Sequence, residues 1–408
     1  MDAGAHGVAP ANPAVDATLD DVLANELEKL GRAGLRRSLR AVHGRVGAQV
    51  IVHGQPAADF SSNDYLGLAS EPRVAAAAIA ALGHDATGAA AARLISGNHP
   101  AHEMLERDIA RFKQTDAALL FGSGYLANTS VIPALAGPRD AIYTDALNHA
   151  SLIDGCRLSR AEVRVMPHLD AGAFGAALEA DRGRFRRRLI VVDGVFSMDG
   201  DLAPLGALTE LAREHGAWMF VDDAHGTGVL GQSGRGTAEH FGVEGSVEIM
   251  MGTLGKALGV AGAYVAGSRP LIDYLTNRAR GFVFTTGTPP ALAAAATAAL
   301  RIARAEPDRR RRVRAVARRL REGLAALGRE CLGLPDGHII PVAIGEAGET
   351  IRVGAALAAR GFLVGAVRPP TVPLGTSRLR ITASAVHTDT QIDGLLDALA
   401  ATLPPAHA

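Results

Sequence analysis

The chain of 408 residues carries 42 basic and 42 acidic side chains, a net charge of zero and a pI near 7.3, so it has no general electrostatic attraction for nucleic acid or an anionic membrane. Its hydrophobic content of 48% permits a sizeable core in two or three domains, or in one large domain with a smaller companion. Two cysteines, Cys156 and Cys331, support neither a disulfide framework nor a four-thiolate metal site, and no stretch offers the roughly eighteen uninterrupted apolar residues of a membrane helix, which makes the cytoplasm the expected location.

Residues 1 to about 15, rich in Ala, Gly and Pro, are expected to be disordered. Thr18 is placed to cap a helix whose Val22, Leu23, Leu27 and Leu30 fall on one face and which Gly31 and Gly34 end; Leu35-Arg36-Arg37 follows as an arm. Short β-like pieces at 50–52 and 58–60 lead into Ser62-Asn63-Asp64-Tyr65-Leu66-Gly67-Leu68, a turn with an aromatic and several polar donors. Helices are predicted over 72–82 and 102–112, separated by a Gly/Ala segment that ends Arg93-Leu94-Ile95-Ser96-Gly97-Asn98-His99.

From Ala117 the pattern alternates. Six apolar runs of strand length, at 117–121, 141–144, 163–166, 189–192, 217–221 and 247–251, are separated by stretches of helix length, the mark of a mostly parallel sheet with right-handed crossovers. In such sheets ligands bind beyond the carboxyl ends of the strands, so the informative residues are those that follow each run. They are polar: Gly122-Ser123-Gly124-Tyr125, opening a helix toward Leu135 where free N–H groups suit a phosphate; Asn148-His149-Ala150-Ser151; Asp193 to Gly200, including Ser197; Asp222 and His225; and Thr253 with Lys256. A lysine among glycines can form a Schiff base with a carbonyl cofactor, and a neighbouring aspartate can hold a pyridinium nitrogen protonated. Residues 226–231 also match G-x-G-x-x-G after a strand, but a dinucleotide site needs that fingerprint to open a helix, and here the chain continues Gln232-Ser233-Gly234-Arg235-Gly236, a loop composition.

From about Ala291 the composition turns to α+β: a long helix, an Arg-rich helix with Val313, Val316, Leu320 and Leu324 on its inner face, strands at 338–344, 362–368 and 378–382, and a helix after Thr388. The rigid Pro369-Pro370-Thr371-Val372-Pro373 segment sits before Arg378 and Arg380 and delivers them to a fixed place. A domain boundary is expected near Pro289-Pro290.

The ordered set S-S-N-D-Y-L-G-L, L-N-H-A-S-L-I-D-G, V-F-S-M-D-G-D, V-D-D-A-H-G-T-G and T-L-G-K resembles the α-oxoamine synthases, pyridoxal-phosphate (PLP) enzymes of aminotransferase fold type I, over about Leu35 to the last helix. The resemblance implies an α/β fold with a mostly parallel central sheet, helices on both faces and a smaller α+β C-terminal domain. It divides the chain into an N-terminal arm and helix (1–60), a large PLP-binding domain (61–290) and a small domain (291–408). It implies Lys256 as the Schiff-base lysine, Asp222 at the pyridine nitrogen, His225 and Ser197 near the ring hydroxyl, His149 on the ring face, and Ser123, Gly124, Tyr125 and Thr253 at the phosphate. Thr285 or Thr286 would arrive from the neighbouring subunit of a homodimer; Asn63, Arg378 and, across the dimer, Arg36 would meet substrate. The run Arg368 to Pro373, followed by Gly375-Thr376-Ser377-Arg378-Leu379-Arg380, points within the family to members that join L-alanine to a pimeloyl thioester, on coenzyme A or a carrier protein; members using acetyl- or succinyl-CoA share most other motifs. One departure is Gly88-Ala89-Ala90-Ala91-Ala92-Arg93, which has fewer glycines than the family's usual run.

Overall fold

The computed structural model describes residues 17–404, so the stretch of 1 to about 15 expected to be disordered falls outside the described residues. Thr18 caps the first helix, Leu19–Arg32, as expected: its hydroxyl accepts from the Asp21 N–H (3.2 Å) while the Asp21 carboxylate accepts from the Thr18 N–H (3.0 Å). This helix buries none of its residues, and its Val22, Leu23, Leu27 and Leu30 stripe is open to solvent.

The strands are β1 (Val42–Val46), β2 (Gln49–Val52), β3 (Gln55–Asp59), β4 (Ala117–Phe121), β5 (Ala141–Asp145), β6 (Glu162–Met166), β7 (Arg188–Asp193), β8 (Trp218–Asp222), β9 (Ile249–Thr253), β10 (Ala263–Gly267), β11 (Ile339–Gly345), β12 (Phe362–Leu363), β13 (Gly365–Val367) and β14 (Ser377–Thr382). Among the described residues they form three sheets, the central one in the order β4-β10-β9-β8-β7-β5-β6. All six expected central strands are present. The seventh, β10, has no counterpart in the sequence reading because Ala-Tyr-Val-Ala-Gly is only five residues long and follows the glycine-rich 252–262 stretch; it runs antiparallel between β4 and β9. The other six therefore share one direction, and their carboxyl ends make one rim.

Burial explains the plain apolar runs. Every residue of β4, β5 and β10 is buried, as a sheet covered on both faces requires. The single strand expected over 362–368 is two: β12 pairs in parallel with β3 in the N-terminal sheet, whereas β13 pairs antiparallel with β14, so the break at Val364 lets one stretch serve two sheets. The Arg-rich helix, Pro307–Ala326, buries Val313, Val316, Leu320 and Leu324 fully.

Between β7 and the next helix, residues 194–203 fold back on themselves, with Val195 bridging Leu202 and the Phe196 N–H donating to Asp201 O (3.0 Å). Gly200 is required at this bend: its φ is +73°, and a Cβ there would stand 2.6 Å from Ile339 O of β11. The other side is held by His168, after β6, whose Nδ1 lies 2.9 Å from Asp145 and Nε2 2.9 Å from Asp201, with its ring edge-on to Phe196. Asp201 Oδ1 is buried without a partner among the described residues, so His168 is the cation that compensates that carboxylate; Asp199 close by is paired instead with Arg378. Partial burial disfavours the imidazolium, but the hydrogen bonds to Asp201 and Asp145 outweigh it and hold the His168 pKa above the ordinary value.

A raised folded-state pKa gives stability that is fully present below the unfolded value, about 6.5, and is lost as pH climbs through the folded value. The melting-temperature gap between the native chain and His168→Gln is therefore expected to be widest below about pH 6.5 and to narrow as pH rises through the raised folded-state value. A gap that widens with pH would show that the clamp does not depend on charge.

Candidate active site

The rim of the central sheet borders a cleft of about 1050 Å³, closed on its far side by residues 369–374 and by Arg378 and Arg380 of β14. Asn63, His149, Ser197, His225, Lys256 and Arg378, six of the side chains expected from sequence, line it. Asp222 lies just beneath, buried at the end of β8.

Successive side chains on a strand face opposite ways, and the Asp222-Asp223 pair uses this. Asp222 Oδ2 accepts from Asn128 Nδ2 (2.7 Å) and Oδ1 from the Ala224 N–H (3.0 Å), on the cleft side. Asp223 turns to the interior, where it accepts from Lys113 Nζ (2.7 Å) and from both the N–H and hydroxyl of Thr237 (2.9 and 2.8 Å). Only the first aspartate is available for chemistry.

Asp222 is not alone. In register beside it on β7 is Asp193, also buried, which accepts from the His149 N–H at 2.6 Å. Burial raises both carboxylic pKa values, Asp193 the more strongly, and for Asp193 the charge of Asp222 adds to the rise; Lys256 pulls both down. Lys256 in turn is brought down to about 8 by burial, against the attraction of Asp222 and Asp193. Its Nζ lies 2.8 Å from His225 Nε2. A lysine near 8 is partly neutral at physiological pH, the state in which its nitrogen is a nucleophile or base.

Asn128, on helix Gly124–Leu135, joins two parts of the site: its Nδ2 donates to both Asp222 and Ser151 Oγ (2.9 Å), and Ser151 Oγ lies 2.7 Å from His149 Nδ1. The same helix begins at the rim, where Ser123 accepts from the Leu126 N–H at 3.2 Å. Tyr125 donates its hydroxyl to Asp154, and Thr253 is occupied in its own loop, donating to Gly262 O (3.0 Å) and accepting from the Gly255 N–H (3.2 Å), which shapes the turn before Lys256. Neither lines the cleft. Thr285 and Thr286 are exposed after helix Arg280–Val283, with Thr286 bridged to Ala92, and Arg36 is not among the residues that line the cleft; its carbonyl accepts from Arg368 (3.0 Å). Arg37 reaches the cleft instead and donates to Thr371 (3.0 Å).

Three residues matter here that sequence reading did not assign. Arg380 is buried, donates from Nε to Ser197 O (2.6 Å) and from Nη1 to Asn63 Oδ1 (3.1 Å), and has no carboxylate partner among the described residues, whereas Arg378 is paired with Asp199. Asn128 was traceable from its place one turn into the helix that Ser123 opens. Tyr65, whose hydroxyl lies 2.6 Å from His225 Nδ1, carried no signal beyond an aromatic in a turn. The 226–231 glycine run forms tight turns, with Gly228 and Gly231 at φ +84° and +81°, and opens no helix. The Gly-poor run at 88–93 places Ala90 at φ +59°, a conformation that glycine adopts without strain.

The residues suit a cofactor with a protonated ring nitrogen and an aldehyde. A buried, cation-poor carboxylate at Asp222 calls for positive charge, an amine of lowered pKa stands opposite, and a helix N-terminus sits at the rim. A family model for aminotransferases of class I and II matches residues 56–399. The 8-amino-7-oxononanoate synthase of Anaeromyxobacter dehalogenans is 50% identical over 384 residues, 94% of this chain and 96% of that protein. That of Methylococcus capsulatus is 50% identical over 382 residues, 93% and 98% of the two chains. A solved serine palmitoyltransferase from S. paucimobilis with a bound PLP–myriocin aldimine superposes with a TM-score of 0.89 at 30% identity, over 94% of this chain and 96% of that one. Because the matched span runs from β3 into the last helix, Asp389–Thr402, and so takes in every strand that borders the cleft, the chain belongs to the class I and II aminotransferase family.

Proposed function

We propose that this protein is an 8-amino-7-oxononanoate synthase: a PLP-dependent acyltransferase that condenses L-alanine with pimeloyl-CoA or a pimeloyl-carrier protein, releasing carbon dioxide and the carrier, in biotin biosynthesis. The observation that carries the site assignment is a lysine of lowered pKa held against buried Asp222, with an unpaired arginine, Arg380, across the same cleft. A division into arm (1–60), large PLP-binding domain (61–290) and small domain (291–408) belongs to this reading, and the central sheet, all within 117–267, supports it. No helix among the described residues is long and apolar enough to cross a membrane, and we place the enzyme in the cytoplasm.

When bound, PLP supplies an electron sink that stabilises the negative charge left when an amino acid loses its Cα proton or a β-keto acid loses carbon dioxide. Lys256 is its covalent anchor and, once free, the base that takes the alanine Cα proton and later returns one. Asp222 would keep the ring nitrogen protonated, with His149 toward the ring face and His225 and Ser197 toward the ring hydroxyl; Ser123 and Gly124, at the helix N-terminus on the rim, would serve the phosphate, with Tyr125 and Thr253 turning toward it from their present partners. For the alanine carboxylate we assign Arg380 with Asn63 in place of the Arg378 expected from sequence, because Asp199 already neutralises Arg378, whereas Arg380 has no carboxylate partner among the described residues and a guanidinium donates bidentately to a carboxylate. The apolar wall of Phe196, Val372 and Leu374 gives an acyl chain a surface that excludes water.

We also infer a homodimer with shared sites. Arg36, Thr285 and Thr286 stand outside the cleft of their own chain, and the first helix presents an apolar stripe with no covering element among the described residues. Both facts are what a second copy would satisfy.

Release of carrier thiol across acetyl-, succinyl- and pimeloyl-CoA, each with alanine and glycine, is expected to be fastest with pimeloyl-CoA and L-alanine and to vanish in Lys256→Ala; a preference for acetyl-CoA with glycine would reassign the substrate, and turnover by Lys256→Ala would remove the lysine from the mechanism. Arg380→Gln should raise KM for L-alanine by at least about 30-fold, the factor equivalent to one charge-assisted hydrogen bond of about 2 kcal/mol, with a smaller rise for Arg378→Gln. The reverse ranking would restore Arg378 as the carboxylate partner. Mixing the inactive Lys256→Ala with Arg36→Ala should recover activity through hybrid dimers, whereas an active monomer in sedimentation would confine the site to one chain.

A further inference from the structure

Tyr65 is fully buried, and its hydroxyl lies between His225 Nδ1 (2.6 Å) and Asn63 Oδ1 (3.1 Å). Beyond Asn63 is Arg380, whose Nη1 donates to the same amide oxygen at 3.1 Å; beyond His225 is Lys256, 2.8 Å from Nε2. Five side chains thus join Arg380 to Lys256 without a break. The residues come from four separate parts of the sequence.

The sense of each bond follows by elimination. A guanidinium only donates, so the atom of Asn63 that faces Arg380 is the amide oxygen. That oxygen only accepts, so Tyr65 gives its one hydroxyl proton to Asn63. The Tyr65 oxygen is then left to accept from His225, which puts a hydrogen on Nδ1. Burial and the surrounding Lys256, Arg380, His338 and His149 keep this imidazole uncharged, so it has a single N–H and Nε2 is a bare lone pair. A lone pair facing Lys256 attracts its N–H whether the amine is charged or neutral; the other tautomer would set donor against donor whenever the lysine is an ammonium. His149 has the opposite form, because the Ser151 N–H points at its Nδ1 (3.3 Å) and leaves the hydrogen on Nε2.

We propose that Tyr65 is a positioning residue that fixes His225 as its Nδ1–H tautomer, so that Nε2 is held as a hydrogen-bond acceptor on the lysine side of the cleft. The tautomer follows from the protein's own side chains; only the expected effect on turnover rests on the reaction proposed above. Replacing Tyr65 by Phe keeps the ring and removes the one acceptor that Nδ1–H has among the described residues, so the imidazole no longer has a reason to choose. Asn63→Asp keeps an acceptor-only group in place and therefore keeps the choice.

The test is nitrogen NMR of the full-length chain with labelled histidine, loaded with PLP and stripped of it, with the His225 signals identified by their loss in His225→Asn. The expected native pattern at neutral pH is a protonated Nδ1 and an unprotonated Nε2 in both forms, retained in Asn63→Asp and mixed or inverted in Tyr65→Phe. In parallel, Tyr65→Phe should lose at least about tenfold in kcat while KM for L-alanine changes less than about threefold, since Arg380 and Asn63 stay in place. A hydrogen on Nε2 in the native protein, an inverted pattern in Asn63→Asp, or a folded Tyr65→Phe with native nitrogen pattern or native kcat would each overturn the proposal. If Tyr65→Phe does not fold, the native and Asn63→Asp patterns decide. An absence of native turnover with L-alanine and pimeloyl-CoA would refute the proposed reaction and leave the tautomer measurement intact.

Discussion

The site depends on the opposite orientation of two adjacent carboxylates at the end of β8. Asp223 goes inward to Lys113, a buried pair to which Thr227, Thr237 and the Arg235 carbonyl add hydrogen bonds. Burial alone would strip Lys113 of its proton, but Asp223 outweighs that and its pKa is raised. Removing one partner of such a pair leaves an uncompensated interior charge, a loss of roughly 3–5 kcal/mol. The pair pins the turn after β8, and with that turn fixed Asp222 has only one way to face: into the cleft.

On the cleft side the balance is reversed. Asp193 and Asp222 end neighbouring strands in register, both buried, with the half-buried Lys256 as the nearest cation. A structural ion pair would be arranged like Lys113 with Asp223, with every lone pair met. Here Asn128 leaves its own Oδ1 without a partner, both acids are raised and the lysine is lowered. Raised acids, a lowered lysine and an unmet amide oxygen gathered at one rim are the physical signature of a surface built to be completed by something else.

The far wall works by the same contrast. Arg378 and Arg380 project from one face of β14, so both can reach the cleft. Asp199, held in the folded-back 194–203 segment by Gly200 against β11 and by His168, neutralises the first and leaves the second free. The loop after β7 therefore chooses which arginine is available.

The alternating architecture was legible in the sequence, since a parallel sheet covered on both faces must read as apolar runs, and so were the polar residues after each run, since that is where such a sheet exposes backbone to a ligand. The sequence also placed the helix cap at Thr18 and the inner face of the Arg-rich helix, both local in sequence. The motif resemblance named Asp222, and the tertiary structure supplies the reason that Asp223 does not meet the cleft; tertiary structure alone decided which of Arg378 and Arg380 is unpaired and that Tyr65 touches His225. Each of those outcomes hangs on a partner far along the chain, Lys113, Asp199 or a histidine 160 residues away, and neither composition nor periodicity records such a pairing. The insertion of β10 between β4 and β9 is of the same kind: a five-residue stretch becomes a strand because two neighbours supply its hydrogen bonds.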